Sequence, residues 1–201
     1  MTAGSGWRSS LEFHPLTPDR WADLVSLFGE SGANSGCWCM FLRITRAEFA
    51  RQAPNKGEEN KLAFRAMVNS GQAPGLLAYS GGEPIAWCSV GPRESYPSLE
   101  RSPTLKRIDN QPVWSVMCFF MAKSYRGQGL MVTLLRAAVD HAGRHGGKIV
   151  EGYPWEQSEV RRRAGTEGFM GFAQAFRQAG FQEARRLSDR RLIMRCSTGG
   201  W

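Results

Sequence analysis

The residues with the clearest chemical potential are Arg126, Gly127 and Gly129, which lie in a short polar break between an apolar run and a helical pattern. The first turn of a helix leaves backbone N–H groups without partners, and these groups carry partial positive charge. Glycine lets such a backbone approach a ligand closely, and Arg126 adds a fixed positive charge beside it. The turn is therefore suited to bind phosphates, above all a pyrophosphate. The alternative is a plain strand-to-helix connection that needs a left-handed residue.

A strand and a helix must position this turn. Residues 113–121 form an apolar, aromatic run that is too long for a turn and predicts a buried strand. After the break, apolar residues recur at helical spacing from Leu130 to Ala142, and polar residues occupy the opposite face. The pair Gly146-Gly147 supplies a helix stop. The sequence thus predicts a buried strand, a glycine turn and an amphipathic helix, in that order.

The stretch FFMAKSYRGQGL, residues 119–130, resembles motif A of the GNAT acetyltransferase superfamily, whose signature is Arg/Gln-x-x-Gly-x-Gly/Ala just after a strand. Arg126 and Gly129 fill the first two signature positions, whereas Met131 stands where the family usually has Gly or Ala. The resemblance implies that acetyl-CoA is the cofactor and that backbone groups of Phe119 and Met121 bind its pantetheine arm. It further implies that the pyrophosphate is held by the backbone N–H groups of Arg126, Gly127, Gln128, Gly129, Leu130 and Met131.

The order of the predicted elements extends this resemblance over roughly residues 11–196. That order is strand, helices, hairpin, strand, glycine turn, helix, strand, helix and hairpin, which matches the GNAT fold. The resemblance implies an α+β fold with a central mixed sheet, flanking helices and a splayed pair of strands that holds acetyl-CoA. Residues 1–10 are expected to be a flexible tail, and residues 11–201 a single domain.

Acetyl transfer to an amine also needs a base for the amine proton and an acid for the leaving thiolate. Glu151 is the candidate base, because it is a carboxylate inside the otherwise apolar strand predicted for residues 148–155. The alternative is that Glu151 lies on a solvent face or pairs with an arginine. The family's usual proton donor is a tyrosine, and the phrase FRQAGF aligns that position with Phe176, which cannot donate. Tyr153, or water, is then the expected acid.

A second unusual stretch, CWCMFLR, contains Cys37, Trp38 and Cys39. One intervening residue is the wrong spacing for zinc knuckles and thioredoxin-type pairs, and no metal site is predicted. The segment is either a buried plug of aromatic rings and sulfur or, as the resemblance implies, part of the acceptor pocket through Trp38, Met40 and Phe41. A covalent route through Cys88 or Cys118 lacks a visible activating histidine.

Composition narrows the class of protein. The 201 residues suit one domain core, and no apolar run approaches the ~20 residues that span a bilayer. Neither a membrane segment nor a signal peptide is predicted, and five cysteines without paired spacing favour a reduced, cytoplasmic context. The net charge of +8, with arginines clustered at 161–163 and 185–195, favours contact with polyanions, and CoA is one of these.

These observations predict an acetyl-CoA-dependent N-acetyltransferase that acts on a primary amine of a small molecule, such as an amino-sugar, a polyamine or an amine-bearing antibiotic. One alternative, suggested by Met131 and Phe176, is a GNAT-like domain that binds acyl-CoA with little or no turnover. Another is a basic nucleic-acid-binding module, although the arginines lack the interleaved aromatic residues of a single-strand binder. The sequence leaves the acceptor and the oligomeric state open, with a homodimer as one option.

Overall fold

A seven-stranded mixed sheet organises the protein in the computed structural model, which describes residues 5–156 and 168–199. Its strand order is β1-β2-β3-β4-β5-β7-β6, and only the β4–β5 pair is parallel. The strands are β1 (Leu11–Pro15), β2 (Gly75–Ser80), β3 (Glu83–Pro92), β4 (Trp114–Met121), β5 (Ile149–Gly152), β6 (Gln182–Ser188) and β7 (Arg191–Ser197). A parallel pair needs a crossover, and the helix that follows the glycine turn provides it. The α+β fold with a mixed sheet and flanking helices is confirmed.

Within residues 5–156 and 168–199, six α-helices flank the sheet. They are α1 (Trp21–Phe28), α2 (Arg46–Gln52), α3 (Pro54–Asn69), α4 (Pro97–Arg101), α5 (Leu130–Arg144) and α6 (Ala173–Gln178). At the start of α2, Thr45 Oγ1 accepts from the Glu48 backbone N–H and Glu48 Oε2 accepts from the Thr45 N–H, which is a complete capping box. No helix in the described part of the chain has the length and apolar character needed to cross a membrane.

Apolar side chains pack on both faces of the sheet. On one face, Leu134, Leu135 and Ala138 of α5 are fully buried against the central strands, as the helical spacing predicts. On the other face, a second core includes Trp38 and Trp87 together with residues of α1 and α3. Because both faces are covered, the central strands are almost continuously apolar, which is why residues 113–121 were recognisable as a buried strand.

Strands β4 and β5 separate after three residue pairs. Their ladder joins Trp114–Val116 to Val150–Gly152 and then stops. At the same point Ser89 of β3 pairs with Cys118 while Val90 pairs with Val116, so Met117 is an extra residue that forms a β-bulge. A bulge bends the strand that contains it. Among the described residues, the edge of β4 from Met117 to Met121 has no strand partner on this side, which leaves the gap expected between the two strands.

The N-terminal segment differs from the expected flexible tail. Residues Ser5–Ser10 form a 3-10 helix, and the Trp7 side chain is buried at 6% exposure. Its indole Nε1 donates to Gln128 Oε1 at 3.0 Å, and Arg8 Nη2 donates to the Gln128 carbonyl oxygen at 2.7 Å. The many small residues of this segment suggested disorder, but the apolar area of one tryptophan is enough to dock it. The segment therefore supports the outer side of the glycine turn.

Other boundaries also differ from the sequence predictions. β5 ends at Gly152 instead of continuing to 155, since Pro154 cannot donate to a ladder. The segment between β3 and β4 contains the short helix α4, and α6 begins at Ala173 after a 3-10 turn at Gly168–Met170. The arginines at 161–163 lie outside the described residues.

His141 generates a pH prediction, because this buried side chain packs against Trp114 and His145 at the end of α5. Burial, and then the nearby charges of His145 and Arg144, lower its pKa to about 4. In the unfolded chain the pKa of a histidine is ~6.5. Between pH 6.5 and pH 4, the unfolded chain therefore binds a proton at His141 that the folded protein does not bind. We expect stability to fall as the pH drops from 6.5 towards 4, by up to about 1.4 kcal/mol per pH unit from this group.

The measurement is the melting temperature as a function of pH for wild type and His141→Gln. The variant should show a shallower decline below pH 6.5 than wild type. Equal slopes for wild type and His141→Gln would contradict the prediction.

Candidate active site

A cavity of about 960 Å³ lies along the free edge of β4; residues of α6 and the turn before it also line it, and no residue of β5 does. One end lies at the glycine turn and the start of α5, the free edge of β4 forms its length, and the other end lies beneath the 33–42 loop. The residues from β4 and the turn that line it are Met117, Cys118, Phe119, Phe120, Met121, Arg126, Gly127, Gly129, Leu130, Met131 and Val132. The parting of the strands thus creates a cleft with the turn predicted to bind phosphate at its mouth.

The turn itself is open to the cavity. Gly127 and Gly129 both adopt left-handed backbone conformations, with φ of 74° and 82°. Gly129, at the N-cap of α5, has no side chain that could cap the helix, and none of the side-chain hydrogen bonds seen in residues 5–156 and 168–199 is accepted from the first N–H groups of the helix. The side chain of Gln128 points away, and its Nε2 donates to the Ser124 carbonyl oxygen at 2.6 Å. The backbone geometry required of an anion site is therefore present.

Arg126 joins the turn to the end of β4. Its Nε donates to the Met121 carbonyl oxygen at 2.9 Å, and its guanidinium group lies 5.9 Å from the centre of the Phe120 ring. Of the described residues that line the cavity, Arg126 is the only charged one. The end of the cavity at the glycine turn is therefore positively charged.

The opposite end of the cavity is aromatic and rich in sulfur. It is lined by Phe28, Cys37, Cys39, Phe41, Leu42, Phe49, Ser89, Tyr96, Cys118 and Phe169. Phe41 packs edge-on against Phe49 and Phe169, with ring centres 5.1 and 6.1 Å apart. A bulky apolar group fits this surface better than a densely charged one.

The 37–41 segment alternates between cavity and core. Phe41 lines the cavity. Trp38 and Met40 do not line it; both are buried in the core beneath α1 and α3, as the alternative prediction of a buried plug of aromatic rings and sulfur has it. Trp38 stacks on Trp21, and its indole Nε1 donates to the Lys56 carbonyl oxygen at 3.1 Å. The intervening residues of the segment face the cavity.

Cys39 lies on the cavity wall in an environment that the sequence analysis did not predict. Its sulfur accepts the indole N–H of Trp87 at 3.1 Å. A hydrogen bond from the Cys118 thiol lowers the pKa of Cys39 to about 7, assisted by Arg43, Trp87 and Ser89, although burial opposes the shift. The Cys37-x-Cys39 spacing drew attention to the segment, but only the fold brings Trp87 and Cys118 to it.

The other thiols near the cavity stay protonated. Burial raises the pKa of Cys37 to about 11, and burial also raises that of Cys88 far above its ordinary value. The pKa of Cys118 is raised by its hydrogen bond to Cys39 and by burial. These directions agree with the expectation that Cys88 and Cys118 are unsuited to a covalent route.

Glu151 and Tyr153 do not face the cavity, which corrects their expected placement. Glu151 is 1% exposed; its Oε1 accepts from Arg93 Nη1 at 3.0 Å and from the Tyr153 hydroxyl at 2.6 Å, and its Oε2 accepts from Arg195 Nε at 2.8 Å. Burial raises the pKa of Tyr153 far above its ordinary value. Glu151 pairs with arginines, as the alternative interpretation predicted. Its neighbour across the ladder to β7 is Arg195.

Phe176 is a core residue. Its ring is fully buried and packs edge-on against Phe119 and Phe181, with ring centres 6.2 and 4.9 Å apart. It also covers Gly152 at the end of β5, where any Cβ would collide with the ring. The position that aligns with the family's tyrosine therefore fills space and cannot donate a proton.

Comparison with known proteins decides the family. A model of the Acetyltransferase (GNAT) family matches residues 38–157, which is more than half of the chain. The chain belongs to the GNAT acetyltransferase family. No curated protein matches it in sequence.

Solved structures of GNAT enzymes and similar acetyltransferases share the fold. Aminoglycoside acetyltransferase AAC(6')-Ib in complex with coenzyme A has a TM-score of 0.53 and 17% identity, over 94% of this chain and 95% of that chain. PaiA N-acetyltransferase from Thermoplasma acidophilum in complex with coenzyme A has a TM-score of 0.51 and 15% identity, over 94% of this chain and 99% of that chain. A protein from the yellow fever mosquito Aedes aegypti, named arylalkylamine N-acetyltransferase 7, has a TM-score of 0.54 and 12% identity, over 94% of this chain and 87% of that chain. At these identities the likeness shows the fold.

The Glu151 network predicts a large stability effect. Glu151→Gln keeps the shape but removes the charge that faces Arg93, whose side chain is completely buried. Breaking one partner of a buried ion pair typically costs about 3–5 kcal/mol. We expect a loss of that order in the free energy of unfolding, measured by urea denaturation.

Glu94→Gln is the matched control for this measurement. Glu94 also pairs with an arginine, Arg107, but its side chain is 63% exposed. Exposed pairs contribute about 0–1 kcal/mol, so this variant should be nearly neutral. Similar losses in the two variants would show that the Glu151 network does not stabilise the fold in the way described.

Proposed function

We propose that the protein is an acetyl-CoA-dependent N-acetyltransferase that acts on a primary amine carried by a small, largely apolar or aromatic molecule. The observation that carries this proposal is the continuous cavity from the glycine turn, along the free edge of β4, to the aromatic end. The two ends differ in chemistry, as a site for two different substrates requires.

The turn and the β4 edge suit acetyl-CoA. The backbone N–H of Arg126 already donates to the Lys123 carbonyl oxygen at 3.4 Å, which removes it from the predicted phosphate donors. The N–H groups of residues 127–131, at the start of α5, and the charge of Arg126 match a pyrophosphate, as at other helix N-termini. The unpaired edge at Phe119 and Met121 offers backbone donors and acceptors to the amide groups of a pantetheine arm. Family membership and the coenzyme A complexes of the structural neighbours support the same cofactor.

The acceptor end favours an amine with an apolar body. In residues 5–156 and 168–199, no carboxylate lines the cavity, so a polycation would lose its hydration there without gaining a counter-charge. Phe41, Phe49 and Phe169 instead offer aromatic surface.

Positioning supplies much of the proposed catalysis. Holding the amine nitrogen against the thioester carbonyl can contribute about 7–11 kcal/mol to the barrier reduction. Backbone N–H groups on the free edge of β4 are the available donors for the carbonyl oxygen as it gains negative charge. Tyr96 also lies on the cavity wall, and because burial raises its pKa to about 12, its hydroxyl keeps its proton at neutral pH.

Gly129→Val tests the cofactor site. A β-branched side chain at a left-handed cap would disturb the turn and keep a pyrophosphate away from the N–H groups. Acetyl-CoA should raise the melting temperature of wild type, because a ligand that binds only the folded state stabilises it. The shift at a fixed acetyl-CoA concentration should fall strongly in the variant.

Gly146→Val is the matched control for backbone strain. Gly146 has a similar φ of +80° and open space around its Cβ position, but it lies past the end of α5. This variant should lose stability while keeping the acetyl-CoA shift. A Gly129→Val protein with the wild-type shift would place the phosphate site elsewhere.

A panel of amines tests the reaction and its acceptor. CoA thiol release from acetyl-CoA should be faster with arylalkylamines than with polyamines or aminoglycosides of equal concentration, for the reason of counter-charge given above. A preference for the polycations would contradict the proposed acceptor class. Acetyl-CoA binding without thiol release for any amine would favour an acyl-CoA-binding domain without turnover.

A further inference from the structure

Gln128, the residue between the two glycines of the turn, is held through three of its atoms. Its backbone carbonyl oxygen accepts from Arg8 Nη2 at 2.7 Å. Its side-chain Oε1 accepts from the Trp7 indole Nε1 at 3.0 Å, and its Nε2 donates to the Ser124 carbonyl oxygen at 2.6 Å. Two of these partners belong to the N-terminal 3-10 helix, 120 and 121 residues away in the chain. The N-terminal segment therefore contacts the turn at a residue that does not line the cavity.

The turn depends on such contacts because a glycine flanks Gln128 on each side. Gly127 and Gly129 have φ of 74° and 82°, and glycine populates positive and negative φ about equally well. A turn with two glycines in three residues has several conformations of similar energy. Only those that direct backbone N–H groups into the cavity are able to bind a phosphate. Molecules in the other conformations lower the apparent affinity in proportion to their population.

Arg8 selects one orientation of the peptide between Gln128 and Gly129. In a trans peptide the C=O and N–H bonds point in opposite directions, and the described residues contain no cis bond. Gly129 lines the cavity and Arg8 does not, so the guanidinium group binds the carbonyl oxygen from outside and the Gly129 N–H is left on the inner side. Among the hydrogen bonds between described residues, none is donated by this N–H. It is therefore available to a ligand.

The charge of Arg8 strengthens the same peptide as a donor. Hydrogen bonds from charged donors are shorter and stronger than neutral ones, and a bond accepted by the C=O polarises the N–H of its peptide. The Arg8 Nη2 atom lies 3.7 Å from the position that a Cβ on Gly129 would occupy. Within residues 5–156 and 168–199, Arg8 forms no ion pair with a carboxylate, so its charge is not neutralised locally.

Trp7 anchors Arg8 in this position. The Trp7 side chain is buried in the core beside α5, and its ring packs edge-on against Tyr125 with ring centres 5.9 Å apart. The Arg8 guanidinium group lies 5.3 Å from the centre of the Trp7 ring. The apolar packing of one residue thus holds the charged group of the next against the turn.

We propose that residues 5–10 are a positioning element of the cofactor site. In this element Arg8 raises the affinity for acetyl-CoA by holding the Gln128–Gly129 peptide with its N–H directed at the pyrophosphate. The inference rests on the proposed function and deepens it. Arg8 is a positioning residue, because it acts through the peptide and does not contact the cofactor.

Titration calorimetry of the full chain with coenzyme A and with dephospho-coenzyme A tests the proposal. Arg8→Ala should raise Kd about three- to tenfold, the effect of losing one hydrogen bond. The increase should be equal for the two ligands, because dephospho-coenzyme A keeps the pyrophosphate and lacks only the phosphate on the ribose ring. Arg8→Lys keeps a charged donor and should restore most of the affinity.

Arg185→Ala is the matched control for the loss of one positive charge. Arg185 is exposed on β6, the strand at the far edge of the sheet, and its variant should bind both ligands as wild type does. Because the Arg8 side chain is also exposed, the melting temperature of ligand-free Arg8→Ala should stay within about 2 °C of wild type.

Steady-state kinetics give a readout that general damage to the fold would not give. With the fastest amine of the panel, Arg8→Ala should raise KM for acetyl-CoA and leave kcat unchanged, because the turn binds the ground state and the transition state equally. Acetyl-pantetheine carries the thioester and the pantetheine arm without a pyrophosphate. Wild type and Arg8→Ala should therefore use acetyl-pantetheine with equal kcat/KM.

Three results would overturn the proposal. The first is a Kd for coenzyme A in Arg8→Ala within about twofold of wild type. The second is a loss for coenzyme A but not for dephospho-coenzyme A, which would make Arg8 a direct ligand of the ribose phosphate. The third is an equal loss of kcat/KM with acetyl-pantetheine, which would show general damage to the fold. In each case wild type still binds and uses acetyl-CoA, so the proposed function stands. A wild type that binds neither form of coenzyme A would overturn the proposed function together with this inference.

Discussion

The separation of β4 from β5 is the constraint on which the rest of the structure depends. Two parallel strands share only three residue pairs, and the Met117 bulge bends β4 away just where pairing stops. An unpaired strand edge normally promotes aggregation, because its free N–H and C=O groups can pair with a strand of another molecule. In this protein the edge forms the wall of a cavity, so a ligand with amide groups can satisfy it. The sheet is incomplete at the place where the cofactor is proposed to bind.

The two sides of this gap are stabilised by different interactions. On the β4 side, Trp7 and Arg8 bind Gln128 and so support the glycine turn from outside. On the β5 side, Glu151 joins Arg93 to Arg195 in a buried network that connects β5 to β7 and to the loop before β4. Neither set of contacts lies in the cavity. Glu151 thus joins β5 to its neighbours without lining the cavity.

The sequence could predict what local patterns determine. The change from an apolar run to helical spacing at residues 121–130 located the strand, the turn and α5, because each depends on neighbours in the chain. The environment of Cys39 could not be predicted in this way, since Trp87 and Cys118 reach it only through the register of β3 and β4. Glu151 was correctly recognised as unusual, but its partner Arg195 depends on β7 lying beside β5.

The same reasoning explains the error at the N-terminus. Small and polar residues dominate positions 1–10, and local composition favours disorder there. Trp7 docks because a surface formed by residues more than 100 positions away in the chain accepts it, with Gln128 as its hydrogen-bond partner. No local pattern contains that information.

The central claim is that the free edge of β4 and the glycine turn bind acetyl-CoA. Amide hydrogen exchange with and without coenzyme A tests it most directly, because it reports on the backbone N–H groups themselves. The account predicts that coenzyme A slows exchange at residues 117–121 and 127–131, with little change at the β6–β7 hairpin. Unchanged exchange in these two segments under saturating coenzyme A, or protection confined to another surface, would contradict it.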